Sequence, residues 1–348
     1  MSIPDDPHTK PLVSVITPCY NGERFITQWA DNLAIQDYPN VEVIFVNDGS
    51  SDGSATAFQK ESERLQQRGY QLYYIEKQNG GAADAVNYGL MAVSGEYLML
   101  LDMDDFLFPE NISAKANYLL EHKDVDMVRN NGYMVRENNL EDRSSLFGEG
   151  IDRFNPFQLN DLLNMQILPY PGSYMVRAEA LFSNLKNRKI YVSPYGQNLQ
   201  ILITVAYYGK AGYIDRPLMK YVNYAKSLSH THSFERRLEL YNGFMGNVIG
   251  TLSSLDIPKD EKRKHIDTVE KANYFGRFYI GIEYNQPKLI KEQYKLMKRH
   301  GLVTRNTTWL YFLSHLPLGC FAIKSYPRAL RVSKRFFHRL RRIVYSRR

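Results

Sequence analysis

Residues 97–109 read YLMLLDMDDFLFP, an apolar run that ends abruptly in Asp102, Asp104 and Asp105. A short apolar run bounded by such a break is the pattern of a strand buried on both faces, with its carboxyl end at the surface. The same pattern recurs upstream. Residues 12–20 (LVSVITPCY), 41–54 (VEVIFVNDGSSDGS) and 70–81 (YQLYYIEKQNGG) each run from an apolar or β-branched stretch into a polar or glycine-bearing loop. Between them, residues 23–36 place Phe25, Ile26, Trp29, Leu33 and Ile35 in a pattern that fits a helix, residues 55–69 end a helical pattern at Gly69, and residues 82–95 form a further short helix. The order β-α-β-α-β-α-β with short connections predicts a mostly parallel sheet with helices on both faces. Ligands of such sheets bind at the carboxyl ends of the strands. Residues 17–20, 47–52, 79–81 and 102–105 should therefore meet on one edge.

The rest of the chain is read more coarsely. Residues 168–181 and 191–214 are rich in tyrosine, with a helix expected over 197–208, and long helical patterns cover 234–255 and 259–282. Two cysteines, Cys19 and Cys320, give neither a metal spacing nor a disulfide framework, so a reducing compartment is expected. The start, MSIPDDPHTK, has no apolar core of a secretory signal. No run reaches the roughly 18 to 20 apolar residues that span a bilayer. The net charge of +7 is uneven: residues 305–348 hold 11 of the 44 Lys and Arg, and no acid follows Glu292. The basic character thus belongs to the last segment, not to the body.

Three carboxylates at the rim of a buried strand repel one another and call for a cation. An Asp-x-Asp array offers the oxygen ligands that Mg²⁺ or Mn²⁺ take, with the remaining ligands supplied by water and a substrate diphosphate. Such an ion offsets charge on a diphosphate leaving group. A solvated turn or a helix cap explains the same residues in isolation. The position after YLMLL, in this order of elements, favours the metal.

Taken together, VSVITPCYNGERFITQWADNLAIQDYPNVEVIFVNDGSSDGS and NGGAADAVNYGLMAVSGEYLMLLDMDD resemble the signature of family 2 glycosyltransferases over residues 11 to about 110, and more weakly to about 232. The resemblance implies the GT-A fold, an α/β, Rossmann-like and mostly parallel sheet flanked by helices, here with a helical C-terminal extension. It implies a GT-A domain over 1–232, with a nucleotide-binding half (11–110) and an acceptor half (111–232). A helical extension would follow over 233–303, then an aromatic and basic amphipathic tail over 304–348.

It also implies roles. Thr17 and Tyr20 would contact the base and ribose, and Asp48 would accept a base N–H. Asn79, Gly80 and Gly81 would line the donor pocket, where small residues allow close backbone approach. Asp84 and Asn87 would face the nucleotide sugar. Asp104 would touch ribose or metal, Asp105 would be the nearest metal ligand, and Asp102 would support both. Turn chemistry explains Asp48 and Asp52 equally well in an isolated loop.

The pattern departs from the family at one place. Inverting members carry a Glu-Asp pair at a helix start, whose Asp is the general base. The matching residues are Gln197 and Asn198, and neither amide accepts a proton near neutral pH. The base would then come from Asp84, Asp152, Asp161 or a histidine, or the amides would orient the acceptor, or the chain would be a weak or inactive transferase. His230 would complete the metal shell or contact the diphosphate, with His232 and Lys226 as weaker candidates.

The expected function is transfer of a sugar, by inversion, from a nucleotide-diphosphate donor (a UDP-sugar favoured) to a glycan or lipid-linked acceptor in bacterial exopolysaccharide, capsule or lipopolysaccharide synthesis. The expected cofactor is Mn²⁺ or Mg²⁺. The tail, with Leu330, Phe336, Phe337, Leu340, Ile343 and Val344 able to share an apolar face, would hold the protein peripherally on the cytoplasmic face of a membrane. No nucleic-acid partner is expected. The alternatives are a non-catalytic partner that binds nucleotide sugar, and a nucleotidyltransferase. The latter is disfavoured because TPCYNG has no Gly-rich, basic triphosphate loop.

Overall fold

The computed structural model describes residues 10–147, 159–164, 170–224 and 233–325. In chain order the elements are β1 (Val13–Cys19), α1 (Glu23–Ala34), β2 (Val41–Asn47), α2 (Ser54–Gln67), β3 (Gln71–Glu76), α3 (Ala82–Ala92), β4 (Tyr97–Leu100), β5 (Phe106–Leu107), α4 (Asn111–Glu121), β6 (Met127–Arg136), α5 (Leu159–Leu163), β7 (Tyr174–Arg177), α6 (Ala178–Phe182), α7 (Asn198–Tyr208) and β8 (Ala211–Asn223). Five helices follow: α8 (Phe234–Ser254), α9 (Lys259–Glu283), α10 (Pro287–Arg299), α11 (Arg305–Ser314) and α12 (Gly319–Ser325).

The described strands form one sheet in the order β3-β2-β1-β4-β7-β6-β8-β5. The first four are mutually parallel, as the repeated βα pattern predicts. The second half is mixed: β7 runs antiparallel to both β4 and β6, β6 and β8 are parallel, and the two-residue β5 returns antiparallel along β8. That half lacks the βα repeat that made the first half legible.

Alternation along the strands sorts the core into two layers. Val13, Val15, Phe45, Tyr97 and Met99 pack toward α1, α2 and α4, while Ile16, Ile44, Leu98 and Leu100 pack toward α3 and α7. Trp29 is fully buried between β2 and α2, edge-on to Phe45 at 5.2 Å. Burying a side chain of this class contributes about 1.5–3 kcal/mol.

The helices after residue 233 pack into two apolar clusters. Met245, Val248 and Leu252 of α8, with Val269 and Ala272 of α9, share one core with Leu199, Leu202 and Val205 of α7. A distinct apolar cluster starts only halfway along α9: Phe275, Phe278 and Ile282 meet Ile290, Met297, Leu310, Cys320 and Ile323. Ser233 caps α8 by accepting from Arg236 N, and Thr304 with Thr307 forms a capping box on α11.

Candidate active site

The loops after β1, β2, β3 and β4 do meet at one edge of the sheet. They are laced together by hydrogen bonds that run both ways. Asn21 N donates to Ser50 Oγ at 2.9 Å, and Ser51 N donates back to Asn21 Oδ1 at 2.8 Å. Glu23 N donates to Asp52 Oδ2 at 3.1 Å, and Gly53 N donates to Glu23 Oε2 at 3.0 Å. Asp52 also accepts from Ser54 N. Burial works against its charge, but these donors hold its carboxyl below the usual carboxylate range. Asp52 therefore clamps the two loops together, which is the turn chemistry open to it from sequence.

Asp48 is the hub of the next layer. Its side chain is 3% exposed, and its carboxylate accepts from Lys77 Nζ at 2.5 Å, Gly80 N at 2.9 Å and Gly81 N at 2.8 Å. Its carbonyl accepts from Asn79 Nδ2 at 3.1 Å. Three donors from one loop thus fold 77–81 around this carboxylate, and Asp48 fixes the shape of that loop from within. Gly49 lets the loops approach: its φ is +70°, and a Cβ there would sit 2.7 Å from Asn79 N. Lys77, which the sequence reading passed over, is only 5% exposed in its side chain and bridges Asp48 to Asp84 Oδ2 at 2.8 Å. Burial lowers its proton affinity, but the two carboxylates more than reverse this and raise its pKa. The signal was a lone cation two residues before Asn-Gly-Gly at a strand end.

At the tip of β4, ligand oxygens of Asp102, Asp104 and Asp105 lie within 4.8 Å of one another. Asp105 is 1% exposed. Its Oδ1 accepts from Val222 N of β8 at 3.1 Å, and its Oδ2 is buried with no hydrogen-bond partner. Its main chain is pinned from α1, where Asn32 Nδ2 donates to its carbonyl at 2.7 Å. Tyr224 Oη donates to the carbonyl of Asp104 at 3.2 Å. Burial, then the neighbouring charges, push the Asp105 carboxyl well up; burial and Asp104 do the same for Asp102, and burial raises Asp104 despite Arg24. No ion pair among the described residues involves any of the three. An orphaned buried carboxylate oxygen among mutually repelling acids is a donor set that fits a hard divalent cation.

The two amides of α7 have partners of their own. Gln197 Nε2 donates to Asp102 Oδ1 at 3.3 Å, and Asn198 Oδ1 accepts from the buried Tyr174 Oη at 2.7 Å. The loop before them is held by Gln200 Nε2 to Gly196 O and by Asn247 Nδ2, from α8, to Tyr195 O.

The other candidate residues are placed as follows. Thr17 has no exposed surface: it sits in the Val13–Val15 register of β1, and its Oγ1 accepts from Trp29 Nε1 at 2.9 Å. Its side chain belongs to the core. Asn87 is also buried and exchanges both amide groups with the backbone of Ile190. Tyr20, by contrast, is 56% exposed at the rim. Asp161 is buried on α5. Asp152, Lys226, His230 and His232 lie outside the described residues.

Residues 14–184 match the model of glycosyl transferase family 2. A glycosyltransferase of Rickettsia felis is 37% identical over 123 residues, which is 35% of this chain and 20% of that protein. The minor teichoic acid biosynthesis protein GgaB of Bacillus subtilis is 34% identical over 118 residues, 33% of this chain and 13% of that protein. The chain spans only about a fifth to a third of the first curated relatives it matches. Among solved structures, S. aureus TarS in complex with UDP-GlcNAc covers 87% of this chain, and 87% of that chain is matched, at TM-score 0.56 and 16% identity. That likeness is one of fold, and the fold is the expected GT-A type. The matched residues run from β1 through the acidic tip of β4 to α6, just under half of the chain, and over that span the chain is similar to the family 2 glycosyl transferases.

Proposed function

We propose that this chain transfers a sugar from a nucleoside-diphosphate donor, a UDP-sugar by preference, to a hydroxyl of a glycan or lipid-linked acceptor. The observation that carries this reading is the cluster of Asp102, Asp104 and Asp105, with the Asp105 Oδ2 oxygen buried and unpartnered. Asp102, Asp104 and Asp105 would hold Mn²⁺ or Mg²⁺, and when bound that ion offsets the charge of the departing diphosphate. The relatives add support. TarS is solved with UDP-GlcNAc, and GgaB is named for teichoic acid synthesis, in keeping with assembly of a bacterial surface polysaccharide.

The chain's own groups divide the work as follows. The loop folded around Asp48 presents Asn79, Gly80 and Gly81 as the pocket wall, and the exposed Tyr20 meets the nucleotide. Lys77 holds Asp48 and Asp84 in place. Gln197 steadies Asp102. The acceptor oxygen attacks the anomeric carbon as the bond from that carbon to the diphosphate oxygen breaks, giving inversion. The proton of the acceptor goes to a carboxylate or histidine other than the amides of α7. Peripheral attachment at the inner face of a membrane, through the basic 304–348 segment, fits a lipid-linked acceptor.

A second reading has an observation in its favour. Gln197 and Asn198 stand where a carboxylate base is expected, so a chain that binds nucleotide sugar without turning it over fits the same pocket. Release of UDP from a panel of UDP-sugars, with Mn²⁺ and a lipid-linked acceptor, separates the two. Turnover in the wild type that Asp105→Asn removes supports transfer. Binding without turnover across the panel supports the non-catalytic reading.

A further inference from the structure

The outer face of the last described helices is the reverse of a soluble surface. On α11 the buried side carries Thr307, Leu310 and Ser314, whereas Trp309 is 54% and Phe312 65% exposed. Leu316, Leu318 and Phe321 continue outward at 58%, 80% and 67%. Trp309, Phe312 and Leu316 recur at spacings of three and four, so they line one side of the helix and its exit. Single exposed apolar residues are ordinary, but a contiguous run of large ones marks an interaction surface.

The neighbouring helix supplies charge. On α10, Leu289, Ile290 and Met297 are buried, while Lys288, Lys291, Lys295 and Lys298 are exposed at three- and four-residue spacing. The two helices are joined by Tyr294, which stacks on Tyr311 at 4.0 Å and donates from its Oη to Thr308 Oγ1 at 3.1 Å. Lys291 and Lys298 stand one turn before and after Tyr294, and Trp309 and Phe312 each follow a residue of that seam. A row of cations therefore borders an aromatic ridge.

We infer that this corner docks on an anionic lipid surface, with the ridge entering the headgroup region and the α10 lysines above it meeting lipid phosphates. Charge selects this occupant. A second copy would set lysine row against lysine row. The chain's own residues 326–348 contain nine Lys and Arg and no acid, so the same row repels them. No described helix is long and apolar enough to cross a membrane, which leaves attachment at the interface. The inference deepens the membrane part of the proposed function but rests on α10–α12 and not on the basic segment or on sugar transfer.

The chain carries its own probe. Of its two tryptophans, Trp29 is fully buried and Trp309 exposed, so a change in emission reports the ridge. Full-length protein would be mixed with phosphatidylcholine vesicles, with and without phosphatidylglycerol, and followed by sedimentation and fluorescence. The expected result is binding to the anionic vesicles alone, a blue shift of Trp309, and about tenfold weaker binding of the Phe312→Ser/Phe321→Ser double variant. An Arg341→Glu/Arg342→Glu variant separates the two membrane elements. If it loses binding while the serine variant binds like wild type, the ridge inference is overturned and the basic segment stands. If the serine variant alone loses binding, the ridge stands and the basic segment falls. Trp309 shielded from acrylamide without vesicles, or shifting with protein concentration, would mean that another protein surface covers the ridge and would also overturn it.

Discussion

Gln197 Nε2 donates to Asp102 Oδ1 across 3.3 Å, so the amide that heads α7 is spent on the acidic cluster. A residue of this kind positions a ligand and does not move a proton. Gln197→Ala should therefore lower turnover only about tenfold, well short of the 10²–10⁴ typical of a lost general base, and should raise the Mn²⁺ concentration needed for half-maximal activity. Steady-state kinetics across a metal titration check this. A loss of three orders of magnitude at saturating metal would give Gln197 a direct role.

Metal and pH are linked at Asp105. Burial holds its carboxyl well above the ordinary value of about 3.9. Between that unfolded value and the raised folded one, the folded chain binds more protons than the unfolded chain, so metal-free stability falls as pH rises through that window. Asp105→Asn removes the charge while keeping an acceptor for Val222 N. In chelator at neutral pH the variant should be more stable than wild type by about 1–3 kcal/mol, within the range of single substitutions. With Mn²⁺ present the order should reverse, because only the wild type gains from binding. Thermal unfolding at two pH values, with and without metal, reads both signs.

Lys77 tests the inner wall of the pocket. Lys77→Met leaves the buried Asp48 with its two backbone donors but without its cation, and frees Asp84. Removing one partner of a buried pair costs about 3–5 kcal/mol; the remaining Gly80 and Gly81 bonds place this variant at or below the lower end. Nucleotide affinity should fall with it, since loop 77–81 loses its anchor. Chemical denaturation and nucleotide titration on the same sample measure the two effects.

Thr17→Val is the matching control. It deprives the buried Trp29 Nε1 of its acceptor, at a cost of about 1–3 kcal/mol. It should leave nucleotide affinity unchanged, because the Thr17 side chain faces the core. A selective loss of nucleotide binding would restore the ligand role expected from sequence.

These residues also mark what the sequence could disclose. The βα repeat through residue 105 announced the parallel half of the sheet, since each strand was an apolar run closed by a polar loop. The convergence of the four loops followed from topology. Beyond it, β7 pairs with β4 and β6, and β8 with β6 and β5, all far away in sequence, and no local period records which strand lies beside which. A threonine at a strand end reads alike whether it points to the rim or the core, and only the indole of Trp29, 12 residues on, sets the direction of Thr17. Lys77 was missed because its two carboxylate partners lie 29 residues before it and seven after it. The aromatic character of residues 309–321 was visible, but its outward direction is a property of packing against α10.

The central claim is that Asp102, Asp104 and Asp105 form a metal-assisted nucleotide-sugar site. Its most direct test is calorimetric titration of UDP, GDP and their sugars into wild type and Asp105→Ala, each with and without Mn²⁺. The account predicts Mn²⁺-dependent binding of a UDP-sugar by the wild type that the variant loses. Absence of nucleotide binding by the folded wild type in the presence of metal would contradict it.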